Sequence, residues 1–213
     1  FPLKGRLAFS GSFNGRSALY VLDLSKGAVT APGADTEERS WPAFSPDGEW
    51  IAFSQGREGH RGIGIMRSDG SGMREVVPAD VNSDNPAWSP DGRTLVFYRE
   101  TQGKASESNL FTAAPFEKST FRQMTYFSGR NTTPHWSPGS DNIAFSTDRF
   151  WPGWDVCIWH KDQQSEECPL RGMITYCRPR FDHSGQRLLY SSGPFEKVDL
   201  FIRTMTSGSD NRV

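Results

Sequence analysis

The chain has little cysteine, no long apolar run and no block of like charge. Three cysteines in 213 residues are too few for a disulfide scaffold, so a packed core must hold the fold. No stretch of about 18 apolar residues exists, and the chain therefore supplies no transmembrane helix of its own. The opening FPLKGRLAFS carries no apolar segment of signal-peptide length, which predicts a chain that is either cytoplasmic or already processed. Lys and Arg number 24 against 25 Asp and Glu, and they are interspersed along the chain. Nucleic-acid binding rests on a basic face that releases counterions, so nucleic acid is not an expected partner. Motifs for a nucleophile elbow, a zinc protease, a redox dithiol and a nucleotide loop are also missing. No catalytic residue, metal site or cofactor is read from the sequence, and the expectation is a protein that is not an enzyme.

What the chain has in quantity is turn formers, 21 Gly and 14 Pro, and they recur in order. WPAFSPDGEWIAFS (41–54) returns as NPAWSPDGRTLVFY (85–98), TPHWSPGSDNIAFS (133–146) and RPRFDHSGQRLLYS (178–191). Pro42, Pro86, Pro134 and Pro179 are spaced by 44, 48 and 45 residues. The apolar runs that follow the turn begin at Leu7, Ile51, Leu95, Ile143 and Leu188, spaced by 44, 44, 48 and 45. A period in the forties with strand-like content is the mark of a propeller blade. Within SPDG, proline presets φ for a type I turn, Asp suits the next position, and Gly takes the left-handed conformation that closes a hairpin. The turn joins strand A to strand B. Strand C is predicted at 19–22, 63–66, 110–112, 156–159 and 200–202, and strand D follows a polar turn, as at 74–77, 122–126 and 168–170. A lone blade cannot bury both faces, so the units must stack in a ring.

The predicted fold is all-β: a propeller of four-stranded antiparallel blades at about 1–39, 40–83, 84–131, 132–176 and 177–213. Strand A is found four times and strands B and C five times. Either five blades close with the first lacking its innermost strand, or the blades are part of a larger ring.

The pattern Pro-x-Trp/Phe-Ser-Pro-Asp-Gly-x-x-Ile-Ala-Phe, followed by a strand and DGSG, resembles the repeat of TolB-like β-propellers over almost the whole chain. That resemblance is specific for the fold. It implies one of several functions, because the repeat is shared by periplasmic TolB, by propellers of prolyl-oligopeptidase-type peptidases, by pectin-degrading lyases and by binding modules. The four histidines, His60, His135, His160 and His183, do not form a metal set, since His183 falls in an A–B turn at the opposite end from the loop carrying His60.

The B–C and D–A loops share one face of a propeller, and here they are uneven. The blade-four loop DRFWPGWD brings Arg149, Phe150, Trp151 and Trp154, and large aromatics are costly to leave in water. They anchor a partner interface or fold back over the next blade; both readings stand. Arg57, His60, Arg61 and Arg130 join them on this face, a mixture that suits a protein partner. Cys157 and Cys168 flank a segment with its midpoint between Asp162 and Gln163. In a hairpin they sit opposite each other, either linked as a disulfide or left as two half-buried thiols.

The expected function is a non-catalytic, extracytoplasmic propeller, periplasmic in setting, that mediates protein–protein interaction within a bacterial envelope complex. The alternative is the propeller of a carbohydrate- or peptide-processing enzyme, polysaccharide lyase-like or gating a peptidase.

Overall fold

The computed structural model describes residues 5–13, 16–33, 37–57, 59–117, 121–150, 153–173, 178–193 and 197–213. Among them the strands form five antiparallel sheets, the blades of a β-propeller. The first sheet holds β1 (Arg6–Phe13), β2 (Arg16–Asp23) and β3 (Ala28–Thr30). The second holds β4 (Arg39–Phe44), β5 (Trp50–Arg57), β6 (His60–Arg67) and β7 (Arg74–Val77). In the third are β8 (Ser83–Trp88), β9 (Leu95–Thr101), β10 (Lys104–Ala113) and β11 (Phe121–Gln123). The fourth has β12 (Asn131–Trp136), β13 (Asn142–Thr147), β14 (Trp154–His160) and β15 (Ser165–Met173). The fifth has β16 (Arg180–Phe181), β17 (Arg187–Ser192), β18 (Asp199–Thr204) and β19 (Asp210–Arg212). As expected, the first sheet has three strands among the described residues, without the inner strand of the others, while the fifth gains its outer one.

The SPDG corner works through one hydroxyl and one carboxylate. In the second blade the Trp50 amide donates to Ser45 Oγ (2.9 Å), Ser45 Oγ donates to Asp47 Oδ1 (2.5 Å), and Gly48 closes the turn at φ 72°. The third blade repeats this with Ser89, Asp91 and Gly92. In the fourth, Ser140 adopts the left-handed conformation in place of glycine, and Asp141, two residues beyond the usual aspartate position, takes the Ser137 hydroxyl. The fifth swaps the two groups: Asp182 holds the serine position and receives the Arg187 amide, while Ser184 holds the aspartate position and donates to Asp182. The turn therefore survives sequence change because it needs one acceptor pair in a fixed geometry, with either residue order.

Blades pack by one rule. The first and third residues of strand B face the preceding blade, and the second faces the following one. Ile51 and Phe53 thus meet Leu19 and Val21 of the first blade. Ala52 and Ile63 meet Leu95, Phe97 and Trp88. Val96 and Leu110 meet Ile143, Phe145 and Trp136. Ala144 and Val156 meet Leu188 and Tyr190. Trp88 also donates its indole N–H to the Ala43 carbonyl across the second interface (3.0 Å), satisfying the polar atom it buries.

Cys157 and Cys168 are joined as a disulfide. In the β14–β15 ladder Trp159 pairs with Glu166 and Ile158 with Glu167, and just before the register shift between Ile158 and Val156 the Cα atoms of Cys157 and Cys168 lie 4.0 Å apart.

Candidate binding site at the mouth of the axial channel

The inner strands of the second, third and fourth blades each carry a bulge around the repeat proline. Register shifts fall between Ser40 and Ala43, Asp84 and Ala87, and Thr132 and His135. Trp41, Asn85, Thr133 and Arg178 all have positive φ, at 53°, 57°, 52° and 38°. Proline has no N–H to give a ladder, so in a sheet it belongs at edges and bulges, and the inner edge of each blade supplies both. For Trp, Thr and Arg the left-handed conformation costs of order 1 kcal/mol or more, and a preceding-proline position does not relieve it. The same strain at four equivalent positions turns four different side chains toward one place.

That place is a cavity of about 330 Å³ at the end of the axis shared by the B–C and D–A loops. Trp41, Asn85, Thr133 and Arg178 all line it, with Arg61, Tyr98, Glu100, Arg130 and Trp154 around them. Asp84 lies beneath, 2 % exposed, and ties two blades together. Its carboxylate accepts from Arg61 Nη1 (2.7 Å), from the Asn85 amide (2.9 Å) and from the Ser54 hydroxyl of the second blade. Burial pushes the Tyr98 phenol up, with the Asp84 and Glu100 charges adding to it, so Tyr98 is a neutral donor here. Arg130 pairs with Asp148 (2.6 Å) and lies over the Trp154 ring (5.1 Å). Arg178 lies over Trp41 (4.9 Å). The mouth is therefore a rim of aromatic and guanidinium groups over a rigid polar floor.

A second chamber of about 250 Å³ follows down the axis, lined by the prolines of the bulges with Trp88, His135 and Arg180. The Phe181 amide donates to His135 Nδ1 (3.2 Å). Burial, with the Arg180 charge added, lowers the His135 pKa to about 4, so the ring is neutral near pH 7.

The residues expected on this face divide. Arg61, Arg130 and Trp154 line the mouth. Arg57 and His60 pair at the tip of the β5–β6 hairpin and are exposed, away from the cavity. Of the two readings left open for the blade-four loop, folding back describes two of its residues. Trp154 is 8 % exposed and packs into the core against the fifth blade, so it does not project. Arg149 has a side chain only 7 % exposed and turns inward, pairing with Glu166 and sitting over Phe127 (4.0 Å) and Phe150 (4.7 Å). A guanidinium flanked by two rings and a carboxylate is better satisfied there than in water. Phe150 is 37 % exposed beside Arg171, and Trp151 lies outside the described residues. Cys157, Glu166 and Cys168 lie close together, but the sulfurs are bonded to each other and Arg149 holds the carboxylate, so the group has no thiolates to offer a metal.

The residues that sequence reasoning missed are Trp41, Asn85, Thr133 and Arg178. Their signal was present as the variable residue before each aligned proline.

Repeated antiparallel sheets around an axis, with a side-chain-lined mouth at one end, define a β-propeller. Residues 2–167 match the family described as the TolB beta propeller domain, and the chain belongs to that family. It is 26 % identical over 134 residues to the uncharacterized protein Atu1656 of Agrobacterium fabrum, covering 60 % of this chain and 46 % of that one. It is 25 % identical over 128 residues to a dipeptidyl-peptidase 5 of Aspergillus fumigatus, covering 56 % and 17 %. The chain thus matches less than half the length of these relatives. A TolB-like protein of Agrobacterium tumefaciens superposes with a TM-score of 0.79 at 20 % identity, over 98 % of this chain and 80 % of that one.

Proposed function

We propose that this protein is a non-catalytic, extracytoplasmic propeller that binds a protein partner at the mouth of its axial channel, as a subunit of a bacterial envelope assembly. The observation that carries this reading is the ring of four left-handed residues. Backbone strain repeated at one ring of positions points to a placement that function requires. The side chains so placed, Trp41, Asn85, Thr133 and Arg178, are the aromatic, amide and guanidinium groups that anchor protein interfaces. The Cys157–Cys168 bond supports an oxidising compartment.

A photo-reactive residue placed at Trp41 or Asn85, against one at Pro46 or Asp91 on the opposite face, tests it in intact cells. A discrete protein adduct from the mouth positions and none from the far face is expected. Equal adducts from both faces refute the site. Fractionation of the same cells tests the compartment: the protein should leave with the envelope or periplasmic contents, and recovery in the cytosol rejects that part.

The peptidase relatives favour a second reading, in which the propeller belongs to a peptide-processing enzyme and its channel admits substrate. Peptide hydrolysis by the whole polypeptide, lost on blocking the mouth, selects it.

A further inference from the structure

Two cations of the channel differ from the rest. At the mouth, Arg61 pairs with Asp84 (2.7 Å) and Arg130 with Asp148 (2.6 Å). Arg178 and Arg180, on the inner edge of the fifth blade, are exposed, one in the mouth and the other in the chamber below it. Among the described residues neither meets a carboxylate: Arg178 lies over the Trp41 ring, and Arg180 Nη1 donates to the Pro179 carbonyl (2.9 Å). Desolvation within the channel, and then the Arg178 charge, disfavour the Arg180 cation. A guanidinium nonetheless keeps its charge near pH 7, so the repulsion persists until an anion relieves it.

The chamber walls decide which anion that is. Pro42, Pro86 and Pro134 line them and have no N–H to give, and Trp41 and Trp88 present ring surface. A phosphate is held by a concave set of several backbone N–H groups, which these prolines deny it. No Asp or Glu lines the chamber, so it does not draw a cation. Beside the Arg180 fork it offers a donor on His135. The Nδ1 of that ring accepts the Phe181 amide (3.2 Å), so the proton of the neutral imidazole rests on Nε2. A planar fork, an N–H and apolar walls suit a carboxylate on a carbon stem. Trp41 and Asn85 line both the mouth and the chamber, so the two adjoin.

We infer that this chamber is a carboxylate seat, in which the Arg180 guanidinium binds the carboxylate of a ligand entering through the mouth. The carboxylate belongs either to a free small organic acid or to an acidic residue of the partner, and the latter source rests on the partner reading above.

Calorimetric titration of the whole polypeptide with succinate, and with succinamide as its uncharged counterpart, tests the seat. Succinate should bind and succinamide should not. Arg180→Gln should weaken succinate about tenfold, while Arg93→Gln on the far face leaves it unchanged. Arg180 has no acid partner to lose, so Arg180→Gln should melt no lower than wild type. Arg180→Lys, which keeps the charge without the fork, should bind with intermediate affinity and carries the test if the glutamine variant does not fold. The photo-adduct formed at Asn85 in intact cells, repeated with Arg180→Gln, identifies the source. Loss of the adduct assigns the carboxylate to the partner, and an adduct that persists while succinate binding is lost assigns it to a free acid. If wild type forms no adduct but binds succinate through Arg180, the partner reading fails and the seat stands. If Arg180→Gln alters neither succinate binding nor the adduct, the inference fails. Sulfate binding as tightly as succinate at equal ionic strength also overturns it, since the chamber would then read charge alone.

Discussion

His135 gives the protein a pH dependence that can be worked out in advance. Its ring is neutral in the folded chamber with a pKa of about 4, against 6.5 for the free side chain, because burial and then the Arg180 charge disfavour the imidazolium. Between those values the unfolded chain binds a proton that the folded chain does not, so stability falls as pH drops below 6.5 and this loss levels off below 4. At pH 5 nearly all the unfolded chains carry that proton and few folded ones do, which amounts to about 2 kcal/mol. For a domain of this size that corresponds to roughly 4–8 °C in Tm. Carboxylates act in a different window. Asp47, Asp91 and Asp141 are held low, first by the Ser45, Ser89 and Ser137 hydroxyls, so their contribution is present above the usual carboxylate pKa and is lost as pH falls further. Denaturant unfolding of wild type and His135→Asn at pH 7 and pH 5 separates the two, since asparagine keeps an acceptor for the Phe181 amide. The variant should lose the slope between pH 6.5 and 4 and keep the fall below it. A wild-type stability that is flat across this range refutes the reasoning, as does a slope that persists in the variant.

Three further predictions follow from the site and the interfaces. Asp84→Ala removes the buried carboxylate that accepts from Arg61, the Ser54 hydroxyl and the Asn85 amide between two blades and should cost about 3 kcal/mol by equilibrium unfolding; a loss under 1 kcal/mol rejects the network as a structural tie. Thiol titration of the denatured, unreduced protein should find one free cysteine, Cys177, and reduction should lower stability by about 2 kcal/mol for a bridge spanning 11 residues. Trp154→Ala should lower the melting temperature through a loss of about 3 kcal/mol, because the ring is buried against the fifth blade; an unchanged melt with lost partner capture restores it as an exposed anchor.

The fold was legible in the sequence because a repeat states the same structural problem five times. SPDG at fixed distance from an apolar run fixes the corner, and the period fixes the blade. Even the worn copies obey it, since Asp182 and Ser184 exchange the roles of Ser45 and Asp47 without loss of the turn. The register of one hairpin, read from the midpoint between Cys157 and Cys168, also placed them opposite each other, because antiparallel pairing depends only on local position.

The site was much less legible. A loop rich in tryptophan and arginine looks the same in sequence whether its side chains face water or the next blade. Only the packed neighbour decides, and it drew Trp154 against the fifth blade and Arg149 between Phe127 and Phe150. The residues that do meet at the axis lie roughly 45 apart in the chain and share no chemistry, so only their place before each repeat proline joins Trp41, Asn85, Thr133 and Arg178 in the sequence. What joins them is a backbone conformation: four left-handed residues, each standing before a repeat proline, brought to one ring by the symmetry of the blades. The repeat determined the blade, and the packing of blades around an axis determined which side chains face one another there.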